Sequence, residues 1–375
     1  MKRLVCLVMG GMLLALLMSS PATAEMAELK VGKGTLKIGG ILQTGFHFHV
    51  QDSAFTGNFD YTDPENPVPV MGEVAVRDQF TLNRARLLFW GTVVPDKVKY
   101  FLQLEHRGGV GLLDFKAIFP GIIPKTTICA GRFLPNFTLM MPYHTGKLEM
   151  INYPVTTGKY AMWRQTGIQT TTTTEMVDFN VGVFNGADIK NNLSDNNEAK
   201  DILVRADFKP PIEGATVRVG GFGWLGKAEA PTWTGKVADG DDEICTLDTN
   251  RFGGYAKADY PMDEMTLKFR AELVMGADDY LVAADKTETL DSQAFFVQGG
   301  VQVNPEWEFL ARFESADPNT DSEAKDDSNS WLTVGANYYY EGINAMFYLN
   351  YIHTIYEHSA VDAEGRILAQ AQIVF

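Results

Sequence analysis

Cysteine is scarce in this chain: three occur in 375 residues, Cys6, Cys129 and Cys245. Cys6 falls in the leader described below, so at most one pair can form and a disulfide scaffold is excluded. Cys129 reads as a strand residue and Cys245 as part of an acidic loop, a poor pairing for a bridge. After Met18 no apolar run approaches the roughly 20 residues a spanning helix needs, and helical periodicity is nearly absent beyond residue 25. The chain therefore either stays soluble outside the cytoplasm or crosses a membrane as strands. Catalytic signatures are missing as well. There is no Gly-x-Ser-x-Gly elbow, no His-Glu-x-x-His and no Gly-x-x-x-x-Gly-Lys-Ser/Thr loop, so neither catalytic residue nor cofactor is expected. Positive charge is in deficit, with 32 Lys and Arg against 47 Asp and Glu, which disfavours nucleic acid and anionic surfaces as partners.

What is present begins at the first residues. Lys2 and Arg3 precede an apolar run from Leu4 to Met18, and Ala22-Thr23-Ala24 offers small residues for a cut. That is the pattern of a secretory signal peptide over 1–24, leaving 25–375 as one exported domain. About 15 apolar residues are too few for a spanning anchor. Losing Lys2 and Arg3 moves the formal net charge from −15 to −17.

Alternation with a period of two recurs along the rest of the chain. Leu42, Thr44, Phe46, Phe48 and Val50 fall on one face, with Gln43, His47, His49 and Gln51 on the other. Met265, Leu267, Phe269, Ala271, Leu273 and Met275 alternate with Thr266, Lys268, Arg270 and Glu272. Trp307, Phe309, Ala311 and Phe313 do the same.

A soluble sandwich also alternates, so loop length has to discriminate. Candidate strands read at 35–50, 78–93, 97–107, 111–119, 126–135, 162–173, 175–186, 201–209, 214–228, 249–261, 264–276, 292–304, 306–315, 329–340, 342–356 and 364–375. Every second connection is short and made of turn residues: Pro95-Asp96, Pro120-Gly121, Lys209-Pro210-Pro211, Pro261-Met262-Asp263, Asn304-Pro305 and Glu341-Gly342. The others, 51–77, 136–161, 187–200, 229–248, 277–291, 316–328 and 357–363, are long and polar; 108–110 alone breaks the rule. Short turns on one side and long loops on the other describe a transmembrane antiparallel β-barrel of about 16 strands, or 14 or 18 if one hairpin is merged or split. The last segment agrees. Ile367, Ala369, Ala371, Ile373 and Phe375 share one face, and the strand stops on an aromatic suited to the interfacial girdle.

His47-x-His49 places two imidazoles on one face but finds no third ligand, so no metal site is expected. Asp239, Asp241, Asp242 and Glu243, like Asp321, Glu323, Asp326 and Asp327, read as solvated loops because calcium-loop spacing is not met. With the apolar face toward lipid, Arg84, Arg86, Lys99, Lys116, Arg132, Arg205, Arg218, Lys257, Lys268, Arg270 and Arg312 project into the lumen. Glu105, Asp114, Asp207, Asp259, Glu272, Glu308 and Glu314 join them. A positive lumen favours anions; the rival reading is that these charges pair and brace the wall. The loop 136–161 is rich in aromatic and small residues and is expected to fold inward. That would place Tyr143, His144, Lys147, Glu149 and Lys159 at a constriction.

Several strings resemble the phosphate-selective porin O and P family of Gram-negative outer membranes. They are Phe80-Thr-Leu-Asn-Arg84-Ala85-Arg86-Leu87, Lys99-Tyr-Phe-Leu-Gln103-Leu-Glu, Gly131-Arg132-Phe133-Leu-Pro135-Asn and Gly182-Val-Phe-Asn-Gly186. Phe296-Val-Gln-Gly-Gly, Glu308 to Pro318, Val334-Gly-Ala-Asn337-Tyr-Tyr and Gln370-Ala-Gln-Ile-Val-Phe375 follow in order. The resemblance implies a trimeric barrel of 16 strands with pores narrowed by loops, and makes Arg84, Arg86 and Arg132 candidates for an anion path. Asn83 stands where the family often has a basic residue, and Leu88 and Trp90 continue the Arg84/Arg86 face with apolar groups.

The expectation is thus an outer-membrane porin, a passive channel for small hydrophilic solutes with an anion preference that includes phosphate. Its partners would be lipid, lipopolysaccharide and two further copies of itself. Two other classes are carried as alternatives. One is a barrel enzyme, for which His144, His353 and His358 are the rim candidates; the other is a secreted β-sandwich binding protein.

Overall fold

The computed structural model describes residues 28–50, 55–60, 68–71, 78–106, 109–141, 143–186, 197–229, 246–283, 286–320, 327–358 and 361–375. The leader, Cys245 and both acidic clusters except Asp327 lie outside them. The strands in chain order are β1 (Glu28–Val31), β2 (Gly34–His49), β3 (Phe55–Asp60), β4 (Val68–Met71), β5 (Gln79–Val94), β6 (Val98–His106), β7 (Val110–Ile123), β8 (Thr126–Phe133), β9 (Gln165–Thr173) and β10 (Val177–Phe184). They continue as β11 (Asp201–Phe208), β12 (Thr216–Glu229), β13 (Thr246–Met262), β14 (Met265–Ala283), β15 (Lys286–Gln302), β16 (Trp307–Asp317), β17 (Asn329–Glu341), β18 (Ala345–Tyr356) and β19 (Glu364–Val374).

Every wall strand is antiparallel to its neighbours, and β19 pairs back onto β2, so β2 and β5 to β19 close a transmembrane barrel of 16 strands. Closure removes the edges that an open sheet would leave unpaired. The short β1 folds onto the start of β2, while β3 and β4 form a separate two-stranded sheet.

Alternation explains the wall. Outward positions carry Leu42, Phe80, Phe179, Val204, Phe269, Val297, Phe313 and Leu349, all well exposed. So much contiguous apolar surface suits lipid and not water. Inward positions carry Gln43, Asn180, Arg205, Glu272, Gln298, Asn337 and Gln372, all buried. Two bulges keep this alternation in phase. Opposite the Gln43–Thr44 pair β5 inserts Asn83, so Phe80 and Leu82 face lipid while Arg84 and Arg86 face the lumen. Opposite Gln103–Leu104, β7 inserts Leu113, which turns Asp114 and Lys116 inward while Leu112 and Phe115 stay outside.

The alternating lengths of the connections hold, with two shifts. Strand β7 continues past Pro120-Gly121 to Ile123, and the turn falls on Pro124-Lys125 instead. The segment 277–291 is not a loop: β14 and β15 extend through it as a long hairpin paired from Asp278–Leu290 to Ala283–Lys286. Its polar composition belongs to strands that have left the apolar belt. At the short turns Asp96, Lys125, Asp263 and Gly342 have positive φ, as tight hairpins demand.

Candidate functional site

The chain between β8 and β9, residues 134–164, lies inside the barrel. Its apolar side docks on large side chains that break the polar inner face. Phe137 is completely buried edge-on against Phe222 and Trp224, at centroid distances of 4.9 and 5.8 Å. Phe184 stacks on Trp224 at 5.2 Å. Leu139, Met140, Met141, Val155 and Tyr160 join Leu203, Val274 and Phe296 in the same cluster. Inward Phe184, Leu203, Phe222, Trp224, Val274 and Phe296 are thus the socket of the loop. Each such aromatic contributes a few kcal/mol of burial.

Polar groups of the wall then anchor the loop backbone along its length. Arg205 donates to the Thr138 carbonyl at 2.6 Å. Glu272 accepts the Leu139 N–H and, at 2.5 Å, the Thr156 hydroxyl. The amides of Gln43 and Gln372 donate to the carbonyls of Thr145 and Gly146, and the Tyr348 hydroxyl to that of Leu148. Asn337 donates to the Glu149 carbonyl, and Asn350 accepts the Ile151 N–H at 3.0 Å. Arg312 donates to the Asn152 carbonyl, and Glu314 accepts the N–H of Val155, the first residue of the short helix α1 (Val155–Tyr160). A buried irregular backbone needs such partners for its peptide groups, and here the wall supplies them.

The expected site residues separate into four groups. Arg86, Arg205, Arg270 and Arg312 face inward and hold the loop while pairing with Glu105, Asp207, Glu149 and Glu314, respectively. Arg84 donates to Gln43, Lys268 pairs with Glu308 at 2.5 Å, and Arg218 bridges Asp178 and Asp207. Lys99 and Lys116 also face inward, but neither has an ion-pair partner among the described residues. Arg132 forms the fourth group and corrects the expectation. It stands opposite Phe115, whose ring is exposed on the lipid face, and its Nε donates to the bulged Leu113 carbonyl at 3.1 Å. Its basic character suggested the lumen. Gly131 is the inward residue of that pair of positions, held at φ 131° where a Cβ would meet the Phe115 carbonyl at 2.2 Å.

Within the loop, Tyr143 accepts from Lys257 at 3.1 Å and Glu149 joins Arg270 to Gln298. His144 receives the Gly146 N–H on Nδ1, and burial together with Lys147 and Arg86 lowers its pKa below the usual 6.5. Lys147 is exposed and unpaired among the described residues. Lys159 lies away from this group, over the Trp331 ring at 5.5 Å. His353 sits opposite outward-facing Leu332 on the lipid side, so it does not meet His144 in the lumen.

Between the loop and the short-turn end of the barrel lie cavities of about 620, 350 and 260 Å³. They are lined by Lys99, Lys116 and Arg164 in the first, Lys147, Lys257, Lys268 and Arg270 in the second, and Arg205, Arg218 and again Lys257 in the third. Asp114 and Glu149 are the carboxylate side chains among these lining groups. Most of these cations are neutralised by neighbouring carboxylates: Arg164 by Asp114, Lys257 by Asp259, Lys268 by Glu308, Arg270 by Glu149 and Asp259, and Arg205 and Arg218 by Asp207. Lys99, Lys116 and Lys147 have no ion-pair partner among the described residues, and such cations in a partly desolvated cavity concentrate anions.

The anchors Gln43, Gln372, Asn337, Asn350 and Tyr348 were not singled out as site residues from sequence. The available signal was uncharged polar groups at inward positions, where channel walls and loop sockets look alike.

No protein-family model and no curated protein matches the chain. Solved structures do match in fold, that of the closed antiparallel β-barrels of the outer membrane. The outer-membrane channel DcaP of Acinetobacter baumannii aligns over 93% of this chain and 100% of its own, at TM-score 0.63 and 12% identity. OmpT, an outer membrane protein of Vibrio cholerae, aligns over 94% and 100% at TM-score 0.60 and 11% identity. The anion-selective porin of Comamonas acidovorans aligns over 91% and 100% at TM-score 0.57 and 13% identity.

Proposed function

We propose that this chain is an outer-membrane porin, exported with the leader 1–24 removed, which lets small hydrophilic solutes diffuse passively and favours anions. The observation that carries this reading is the inward loop 134–164, anchored to the wall at intervals from Arg205 to Glu314, over cavities lined by lysine and arginine. A loop held this way narrows the lumen without a cofactor or covalent step. Lys99, Lys116 and Lys147, which have no ion-pair partner among the described residues, raise the local concentration of anions and repel cations. Phosphate is among the anions this reading admits, in keeping with the resemblance of Phe80 to Leu87 and Gly182 to Gly186 to the phosphate-selective porins. Homotrimeric assembly in lipid and lipopolysaccharide belongs to the same reading; OmpT of Vibrio cholerae has been solved in a trimer form.

The test is a planar-bilayer recording of the detergent-extracted protein under a salt gradient. Discrete conductance steps with an anion-selective reversal potential are expected, and Lys99→Gln with Lys147→Gln should move that potential toward zero. Cation selectivity in the unmodified protein would overturn the anion preference. Absence of steps from folded protein would overturn the channel.

A further inference from the structure

The cavity of about 620 Å³ below the loop is not a uniformly polar vestibule. Leu88, Trp90, Phe101 and Ile118 from the wall, with Leu134 and Met141 from the loop, give it an apolar lining. Trp90 and Phe101 are register partners on β5 and β6, and Phe101 is in turn the partner of Lys116 on β7. Directly opposed residues keep their Cβ atoms about 5 Å apart on one face, so an indole, a phenyl ring and an ammonium stand in a row. The Lys116 ammonium lies 5.6 Å from the Phe101 centroid and 5.2 Å from that of Phe133. Lys99 lies two residues before Phe101 on the same face and is exposed. The wall carboxylate side chain lining the cavity, Asp114, is bound by the Arg164 guanidinium at 3.0 Å. Among the described residues neither lysine has an ion-pair partner, and the Lys116 ammonium stands beside two aromatic rings.

We propose that this cavity is a binding site for aromatic carboxylates: the ring lodges between Trp90, Phe101 and Leu88, and the carboxylate faces Lys99 and Lys116. Its volume of about 620 Å³ falls within the range of roughly 300–1,000 Å³ typical of small-molecule sites, which combine an apolar lining with a few polar groups. A bare inorganic anion would leave the apolar lining unused. A neutral aromatic would leave the two ammonium groups unmatched. This assignment names a solute class for the channel and rests on the lumen being the solute path.

The experiment uses benzoate as the probe, by isothermal titration calorimetry on the folded full-length protein in detergent and by current block in bilayers. Benzoate should bind at least about tenfold more tightly than acetate or benzamide, since each of those lacks one of the two interactions. Trp90→Ala and the double change Lys99→Gln/Lys116→Gln should each weaken it about fivefold or more, whereas Arg132→Gln on the outer face should not. Should Trp90→Ala fail to fold, the lysine pair, which leaves the packing intact, carries the test. Equal binding of benzoate and acetate, or of benzoate and benzamide, overturns the site. Selective binding without conductance steps keeps the site and overturns the channel reading; steps without selective binding do the reverse.

Discussion

Glu314 on β16 accepts the backbone N–H of Val155 at 2.6 Å, so the barrel wall caps the helix of its own inward loop. Pro154, at the capping position, makes no such side-chain bond, and the same carboxylate holds the Arg312 Nε at 2.8 Å. Hydrogen bonds to buried charged groups are worth about 1.5–3 kcal/mol. Glu314→Gln should loosen this end of the loop by that order, and Glu314→Leu, which strands Arg312, by about 3–5 kcal/mol. The readout is single-channel current noise together with limited proteolysis within 134–164. Noise and cleavage unchanged in both variants would show that the contact does not hold the loop.

Phe137 is the apolar counterpart of that anchor, with no exposed surface and two aromatic neighbours. Removing a buried phenyl ring costs about 3–5 kcal/mol. Here the loss falls on loop docking, because the barrel ladder does not include Phe137. Phe137→Ala should therefore raise the mean conductance and leave heat-modifiable mobility, the sign of a closed barrel, unchanged. A variant that loses the folded band would instead place Phe137 among the residues on which closure depends.

Arg86 and Arg132 are both basic strand residues, but they differ in facing. Arg86 lies inside against Glu105 and Thr145, and Arg132 lies outside opposite Phe115. Arg86→Gln is expected to shift the reversal potential toward cations and Arg132→Gln to leave it within error. Equal shifts would mean that the two side chains reach the same solution.

His144 is held below its ordinary pKa first by burial and then by the charges of Lys147 and Arg86. The folded state therefore favours neutral imidazole. Its contribution to loop docking is complete above about pH 6.5, and declines as the pH falls from there toward the lowered folded value, where the unfolded loop binds more protons. Histidine NMR titration, assigned with His144→Gln, should give a midpoint below 6.5; a midpoint at or above it would contradict the packing around the ring.

Much of the barrel was legible because a two-residue period and alternating turn lengths are local properties. Met265 to Met275 and Trp307 to Phe313 carry their facing in their own order, and the segments so read map onto the 16 wall strands. Arg132 was misplaced because its strand holds small and apolar residues on both faces, Cys129, Ala130, Gly131 and Phe133, leaving charge as the only guide. The bulge at Asn83 hid behind an apparent continuity from Phe80 through Arg84 to Trp90. The socket for the loop was not legible either. Whether Trp224 or Phe296 meets lipid, water or a loop depends on a segment far away in the chain, and the residues themselves say only that they are large and inward.

Gln43 and Gln372 share a hydrogen bond at 2.6 Å although 329 positions separate them. The seam between β2 and β19 is thus a contact of extreme sequence separation. The chain entropy it removes must be lost before the first wall strand gains its second neighbour. Until then β2 presents a bare row of peptide groups, open to pairing with the wrong molecule. Disruption of the last strand is accordingly expected to act on the rate and yield of folding more than on the resting architecture, and the penalty should be borne in transit, before any membrane is reached.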